Sequence, residues 1–235
     1  MPKIKSRQQM SESFFLGALL AAVGGFLDAY TYLLRGHVFA NAQTGNIVLL
    51  SLHLAQLQFA EAFYYLIPIL AFALGVVIAE LIRRAFRSHP RIHWRQITIG
   101  AELLLLLVVA FLPCGRLDMA VNVVISLLCA MQTESFRKVN GNAFATTMCT
   151  GNLRSATELL LRYRVTKDKA ERDRSLQYYG VLLFFIGGAA AGTLLSRRFG
   201  AKAVLFCCIA LAAAFTAMFF REGLPALGKR RAKDA

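Results

Sequence analysis

One stretch of this chain is written twice, and no other feature of the sequence restricts its fold as much. Residues 24–46 (GGFLDAYTYLLRGHVFANAQTGN), moved 106 positions without a gap, fall on residues 130–152 (AMQTESFRKVNGNAFATTMCTGN). The shift lays Thr44-Gly45-Asn46 on Thr150-Gly151-Asn152 and Asp28 on Glu134. A second match at a shift of 114 pairs Tyr64-Tyr65 with Tyr178-Tyr179 and Arg83-Arg84 with Arg197-Arg198. Units of roughly 100 residues are too long for a solenoid and suit a duplicated bundle.

The two units are apolar. Charged residues make up 17% of the chain, against 57% hydrophobic, where a soluble domain carries about a quarter charged. The charges are also segregated, which leaves runs long enough to cross a bilayer, at about 20 residues each. The pattern predicts an all-α integral membrane protein with six transmembrane helices, at 14–34, 61–82, 97–112, 117–136, 175–196 and 203–220. Residues 1–13 read as a cytoplasmic segment and 14–220 as a single transmembrane domain, with repeats at 14–112 and 117–220. Residues 221–235 read as a basic cytoplasmic tail. The first run is too long for a signal-peptide core and is expected to be retained. Pro68 lies inside the second span, which a packed membrane helix tolerates.

A net charge of +14 invites a nucleic-acid reading, but in a membrane protein excess Lys and Arg belong on cytoplasmic loops. With both termini inside, 22 of the 27 Lys and Arg fall on cytoplasmic segments and five outside. The five outside are Arg35, Arg116 and the Arg197, Arg198, Lys202 cluster. Nucleic acid is therefore not an expected partner. Three spans per repeat is an odd number, so the second copy enters the membrane from the opposite side. Such inverted repeats are common in transporters, which place the working site near the midplane between the halves.

Polar residues at equivalent places in the two copies are the candidates for that site. Thr44 and Thr150 read as helix N-caps, with Gly45 and Gly151 easing the backbone and Asn46 and Asn152 following. Each motif thus opens a half-helix, re-entrant or interfacial, with a positive dipole end. The second copy, with its Arg154, Glu158, Arg162 stripe, leans towards the interface. Asp28 is an acidic group inside a span, which is costly and points to the bundle interior; a structural bond, with Arg35 snorkelling seven residues on, is the plain alternative. Glu134 has Arg137 and Lys138 at i+3 and i+4, which could simply pair with it. Asn41 and His37 fall in the first loop and could line the same site. Glu80, with Arg83 and Arg84, reads as an interface ion pair. Glu102 reads as a snorkelling residue near the end of its span. The small residues Gly17, Gly24 and Gly25, and Gly187, Gly188 and Gly192, read as close-packing faces. They would serve contacts within the chain or between chains, so a homo-oligomer stays open.

The five cysteines have no framework spacing, and His89 and His93 lack acidic or thiol partners, so neither a disulfide nor a metal site is expected. No nucleophile–base pair, phosphate loop or dinucleotide fingerprint stands out, and no catalytic residue, enzyme activity or cofactor is expected.

Gly25-Phe26-Leu27-Asp28-Ala29, Phe39-Ala40-Asn41 with Thr44-Gly45-Asn46, and Thr150-Gly151-Asn152-Leu153 together resemble the signature of the YoaK-like family. Gln43 departs from the hydrophobic or Met residue that pattern has before the Thr. The resemblance covers residues 14–220 and implies an uncharacterised, multi-spanning bacterial inner-membrane protein. It implies no catalytic residue. Two readings follow from the residues themselves. One is a small-solute permease or channel whose polar solute or ion meets Asp28, Asn41, Thr44, Gly45, Asn46, Glu134, Thr150, Gly151 and Asn152. The other is a scaffold or lipid-binding module whose basic loops face membrane lipids.

Overall fold

The computed structural model describes residues 13–86, 94–139, 142–143 and 149–222. Most of the N-terminal segment, the loop carrying His89 and His93, and most of the basic tail lie outside them. The regular structure among the described residues is helical apart from one ribbon of two two-residue strands. The helices are α1 (Phe14–Leu34), α2 (Gln43–Ala55), α3 (Phe59–Phe86), α4 (Trp94–Val109), α5 (Asp118–Ser135), α6 (Cys149–Thr166), α7 (Lys169–Phe199) and α8 (Leu205–Glu222). A 3-10 turn, Gly200–Val204, joins the last two.

Each of the six apolar runs falls on one of these helices, namely α1, α3, α4, α5, α7 and α8. Among the described residues, three stretches are long and apolar enough to cross a membrane: α1, α3 and Lys169–Met218. Two helices overrun their apolar cores. The charged segment expected to be a loop before residue 175 is instead the first turns of α7, capped where Asp168 accepts the Ala170 N–H at 2.9 Å. Likewise α3 continues through Arg83 and Arg84, which bond Glu80 at 2.7 and 2.9 Å. Pairs at i, i+3 and i, i+4 hold a helix together beyond its apolar stretch. The ribbon, Lys138–Val139 with Asn142–Ala143, was not foreseen.

Packing is exchanged between the halves. α1 lies along α7 and α5 lies along α3; α2 rests on α3 and α6 on α7; α4 meets α8. Glycines set the two long contacts. A Cβ at Gly25 would enter the Phe185 carbonyl, and one at Gly188 the Ala22 carbonyl, so α1 and α7 touch backbone to backbone. Gly75 does the same for α3 against the Leu127 carbonyl of α5. Gly187 has open space beside it and plays no part in that face. The core is built from the inward sides of α1, α4, α5 and α8, with Leu20, Leu27, Ile99, Leu106, Leu128 and Leu211 buried. Outward faces are apolar as well: Phe63, Leu70, Leu74, Val77 and Leu81 along α3 are all exposed. Contiguous exposed apolar surface on this scale needs lipid or a partner to cover it.

Candidate functional site

After α1 ends, the chain turns at Gly36 and His37, both at positive φ (80° and 60°), and runs back along the helix it has just left. The loop is tied down at two levels. Asn41 Nδ2 donates to the Gly24 carbonyl at 3.1 Å, and the Asn41 and Ala42 N–H groups donate to Asp28 Oδ1 at 2.7 and 3.4 Å. Gly24 is the middle residue of α1, so α2 starts half-way down that helix and not at its end.

Asn46 fixes the entry. Its Oδ1 accepts the Phe39 N–H at 3.0 Å, while its Nδ2 donates to the Phe39 carbonyl at 2.7 Å and to Gln43 Oε1 at 2.8 Å. The Phe39 ring is pressed so close to Gly45 that a Cβ there would lie 2.8 Å from it. This corrects the capping expectation. Ala42, not Thr44, is the N-cap of α2, and it makes no side-chain cap bond. Thr44 sits inside the first turn, where the Gly45 N–H donates to the Ala42 carbonyl at 2.8 Å, while Asp28 holds the Asn41 and Ala42 amides that lead into the helix. Thr150 is likewise the second residue of α6, not its cap.

The second motif opens α6, which packs along α7 as α2 packs along α3. α2 and α6 take different directions. α2 climbs to the C-terminal level of α1, where His53 stacks on Tyr65 at 5.5 Å and Tyr64 Oη donates to the Arg35 carbonyl at 3.1 Å. α6 descends towards the N-terminal level, packing Ala156 with Ala21 of α1 and Tyr178 of α7. Asn46 and Asn152 are buried, whereas Thr44, Thr150 and Gly151 are exposed. Ile47, Val48 and Leu52 of α2 are exposed too, which suits a half-helix in contact with lipid. The stripe on α6 is present, with Arg162 bonding Glu158 at 2.7 Å.

Glu134 stays apart from Asp28 and follows the plainer expectation, its Oε2 accepting the Arg137 Nε–H at 2.9 Å. His37 packs edge-on against Tyr32 at 5.0 Å, away from the carboxylate.

Arg35 is no partner for Asp28 and does not snorkel. It is wholly buried, reaching Asp118 Oδ1 at 3.0 Å, the Pro113 and Leu112 carbonyls at 2.9 Å each, and Tyr30 Oη at 2.8 Å. Tyr30 passes the contact on to the Ala201 carbonyl at 3.2 Å. Burial pulls the guanidinium down, but the bond and field of Tyr30, followed by the bond to Asp118, outweigh it and hold Arg35 above its ordinary range. One cation thereby ties together the end of α1, the α4–α5 turn and the α7–α8 turn.

Glu102 was read wrongly from the sequence. It lies at the centre of α4, is completely buried, and neither of its oxygens has a protein partner. The signal was present: no Lys or Arg stands within four residues of it, so the rule that flagged Asp28 applied equally.

The model of the family described as "Protein of unknown function (DUF1275)" matches residues 16–217 of this chain. The chain is also similar to the "UPF0700 transmembrane protein YoaK" of Bacillus subtilis (strain 168), with 29% identity over 178 residues, 72% of this chain and 78% of that protein. No solved structure matches it. With its apolar helices, this likeness makes the chain a helical membrane protein.

Proposed function

The chain belongs to the DUF1275 family of proteins of unknown function, and from that premise we propose that it is a small-solute permease or channel. In this reading it is a multi-pass protein of the bacterial inner membrane, with six spans in two inverted repeats and both termini cytoplasmic. It is not an enzyme. The solute passes a polar site between the halves, formed by Asp28, Asn41 and the first turns of α2 and α6.

One observation carries the reading. The α2 entry is bonded to the buried Asp28 carboxylate half-way along α1, and α6 packs towards the opposite end of that helix, with Ala156 in one buried cluster with Ala21. Irregular backbone at membrane depth is tolerated where it is buried in protein or lines a cavity, and broken helices meeting at mid-depth suit a transporter site. The exchanged packing of the two halves supports the inverted duplication. Asp28 already supplies the negative charge that the end of α2 favours, so a neutral or weakly basic polar solute fits better than an anion. The lipid-headgroup alternative is weaker, because Arg83, Arg84, Arg162 and Arg172 are each engaged by a neighbouring carboxylate.

The test is aqueous access. Single cysteines at Thr44 and Thr150, in a chain whose five native cysteines are replaced, are treated with a membrane-impermeant thiol reagent in right-side-out and inverted vesicles. A permeation path makes at least one of them react from water. If neither reacts from either face, while a control cysteine at exposed Gln56 does, both positions face lipid and the permease reading fails.

A further inference from the structure

Glu102 belongs to neither half-helix and takes no part in the Asp28 site. It is the ninth of the sixteen residues of α4, at mid-height in the bundle. Its surroundings hold thiols and no counter-charge. Cys208 Sγ of α8 lies 4.0 Å from the carbonyl of Leu103, the residue after Glu102, and Cys129 of α5 and Cys207 of α8 are buried in the same core. The cations on neighbouring elements are engaged or remote: Arg83 and Arg84 of α3 hold Glu80. Arg95, two turns down α4, donates to the Ser135 carbonyl at 3.0 Å. Arg35 holds Asp118, and Lys202 in the 3-10 turn is exposed. Asp28 of α1 is bonded to the Asn41 and Ala42 amides of its own loop.

An ionised carboxylate in such a place has neither hydrogen bond nor counter-ion. The cost of burying a bare charge is large enough that the group keeps its proton instead. Other buried polar atoms also lack a protein partner. Ser126 Oγ, one turn before Cys129 on α5, is one of them. Polar atoms of this kind are where internal water binds. Loss of the proton then leaves a carboxylate on Glu102 and passes H⁺ to water as hydronium, with no other reactant.

We propose that Glu102 is a proton-binding site at the centre of the bundle, separate from Asp28, loaded and unloaded as the protein works. The site stands on burial, position and missing partners; its use in coupling proton movement to solute movement rests on the permease reading.

Infrared difference spectroscopy of the full-length protein in lipid nanodiscs, stepped between low and high pH, reads the site directly. A protonated-carboxyl C=O band is expected that disappears at high pH, is absent from Glu102→Gln, and persists in Asp28→Asn. Glutamate labelled with ¹³C in the wild-type chain must move the same band, a check that needs no variant to fold. A band lost in Asp28→Asn but kept in Glu102→Gln overturns the proposal, as does a wild-type chain with no glutamate band. Neither outcome depends on solute flux, so the permease reading stands or falls separately on the thiol-access experiment.

Discussion

The guanidinium of Arg35 and the carboxylate of Asp118 meet at 3.0 Å across 83 residues of chain, the first wholly buried and the second partly exposed. A buried cation is stable only while its partners stay. Taking the cation away strands Asp118, the Tyr30 hydroxyl and the Leu112 and Pro113 carbonyls together. Arg35→Leu should therefore cost about 3–5 kcal/mol, the usual penalty for breaking a buried pair from one side. Arg35→Lys should fall between, since an ammonium cannot reproduce the planar fork of donors that reaches four acceptors. Reversible thermal unfolding in detergent gives the order, and an Arg35→Leu chain as stable as wild type would remove the three-way tie.

Asp28 separates two roles that one substitution would confuse. Its Oδ1 accepts the Asn41 and Ala42 amides that lead into α2, and an asparagine oxygen can still accept them. Asp28→Asn should accordingly melt within about 1 kcal/mol of wild type, whereas Asp28→Ala, which leaves those amides bare, should lose about 1–3 kcal/mol. Solute flux or ligand-induced stabilisation should vanish in both. If Asp28→Asn retains them, the carboxylate serves the loop and not the solute.

The helices were legible because a span is a local property: an apolar run of sufficient length announces itself whatever surrounds it. The packing of α1 with α7 and of α5 with α3 is a long-range matter that no local run announces. The site was legible only in its ingredients. Asp28, Asn41 and Asn46 were singled out, but the chain running back along α1 depends on a left-handed turn at Gly36 and His37 that their residue types do not dictate. Nor could the sequence choose a partner for Arg35, because Asp118 is distant in the chain. The cap expected at Thr44 was misplaced because α2 begins at Gln43, one residue before it, with Ala42 as an N-cap that has no polar side chain to announce it.

Glycine contacts make a sharper prediction than composition alone would. Gly25 faces the Phe185 carbonyl and Gly188 the Ala22 carbonyl, so a methyl on either forces backbone apart. Gly187, next in sequence to Gly188, has nothing within 4 Å. Gly25→Ala and Gly188→Ala should each cost about 1–3 kcal/mol, as overpacking does, and Gly187→Ala should cost nothing or stabilise slightly. Melting temperatures of the three variants in one detergent decide it. Equal losses at Gly187 and Gly188 would show that helix propensity, not the α1–α7 contact, governs this region.

The two polar side chains of the first motif should behave oppositely to what their capping propensities suggest. Thr44 lies in the first turn of α2 on an exposed face and caps nothing; Thr44→Ala should stay within about 0.5 kcal/mol of wild type, as surface changes do. Asn46 is buried and spends its whole amide on Phe39 and Gln43. Removing it leaves both backbone groups of Phe39 without that partner and frees the ring that presses on Gly45, so Asn46→Ala should lose about 1–3 kcal/mol. Hydrogen exchange adds the location: the amides of residues 39–46 should exchange faster in Asn46→Ala and unchanged in Thr44→Ala. A Thr44→Ala chain that melts early, with those amides opened, would restore the threonine as the cap and detach the start of α2 from Asp28.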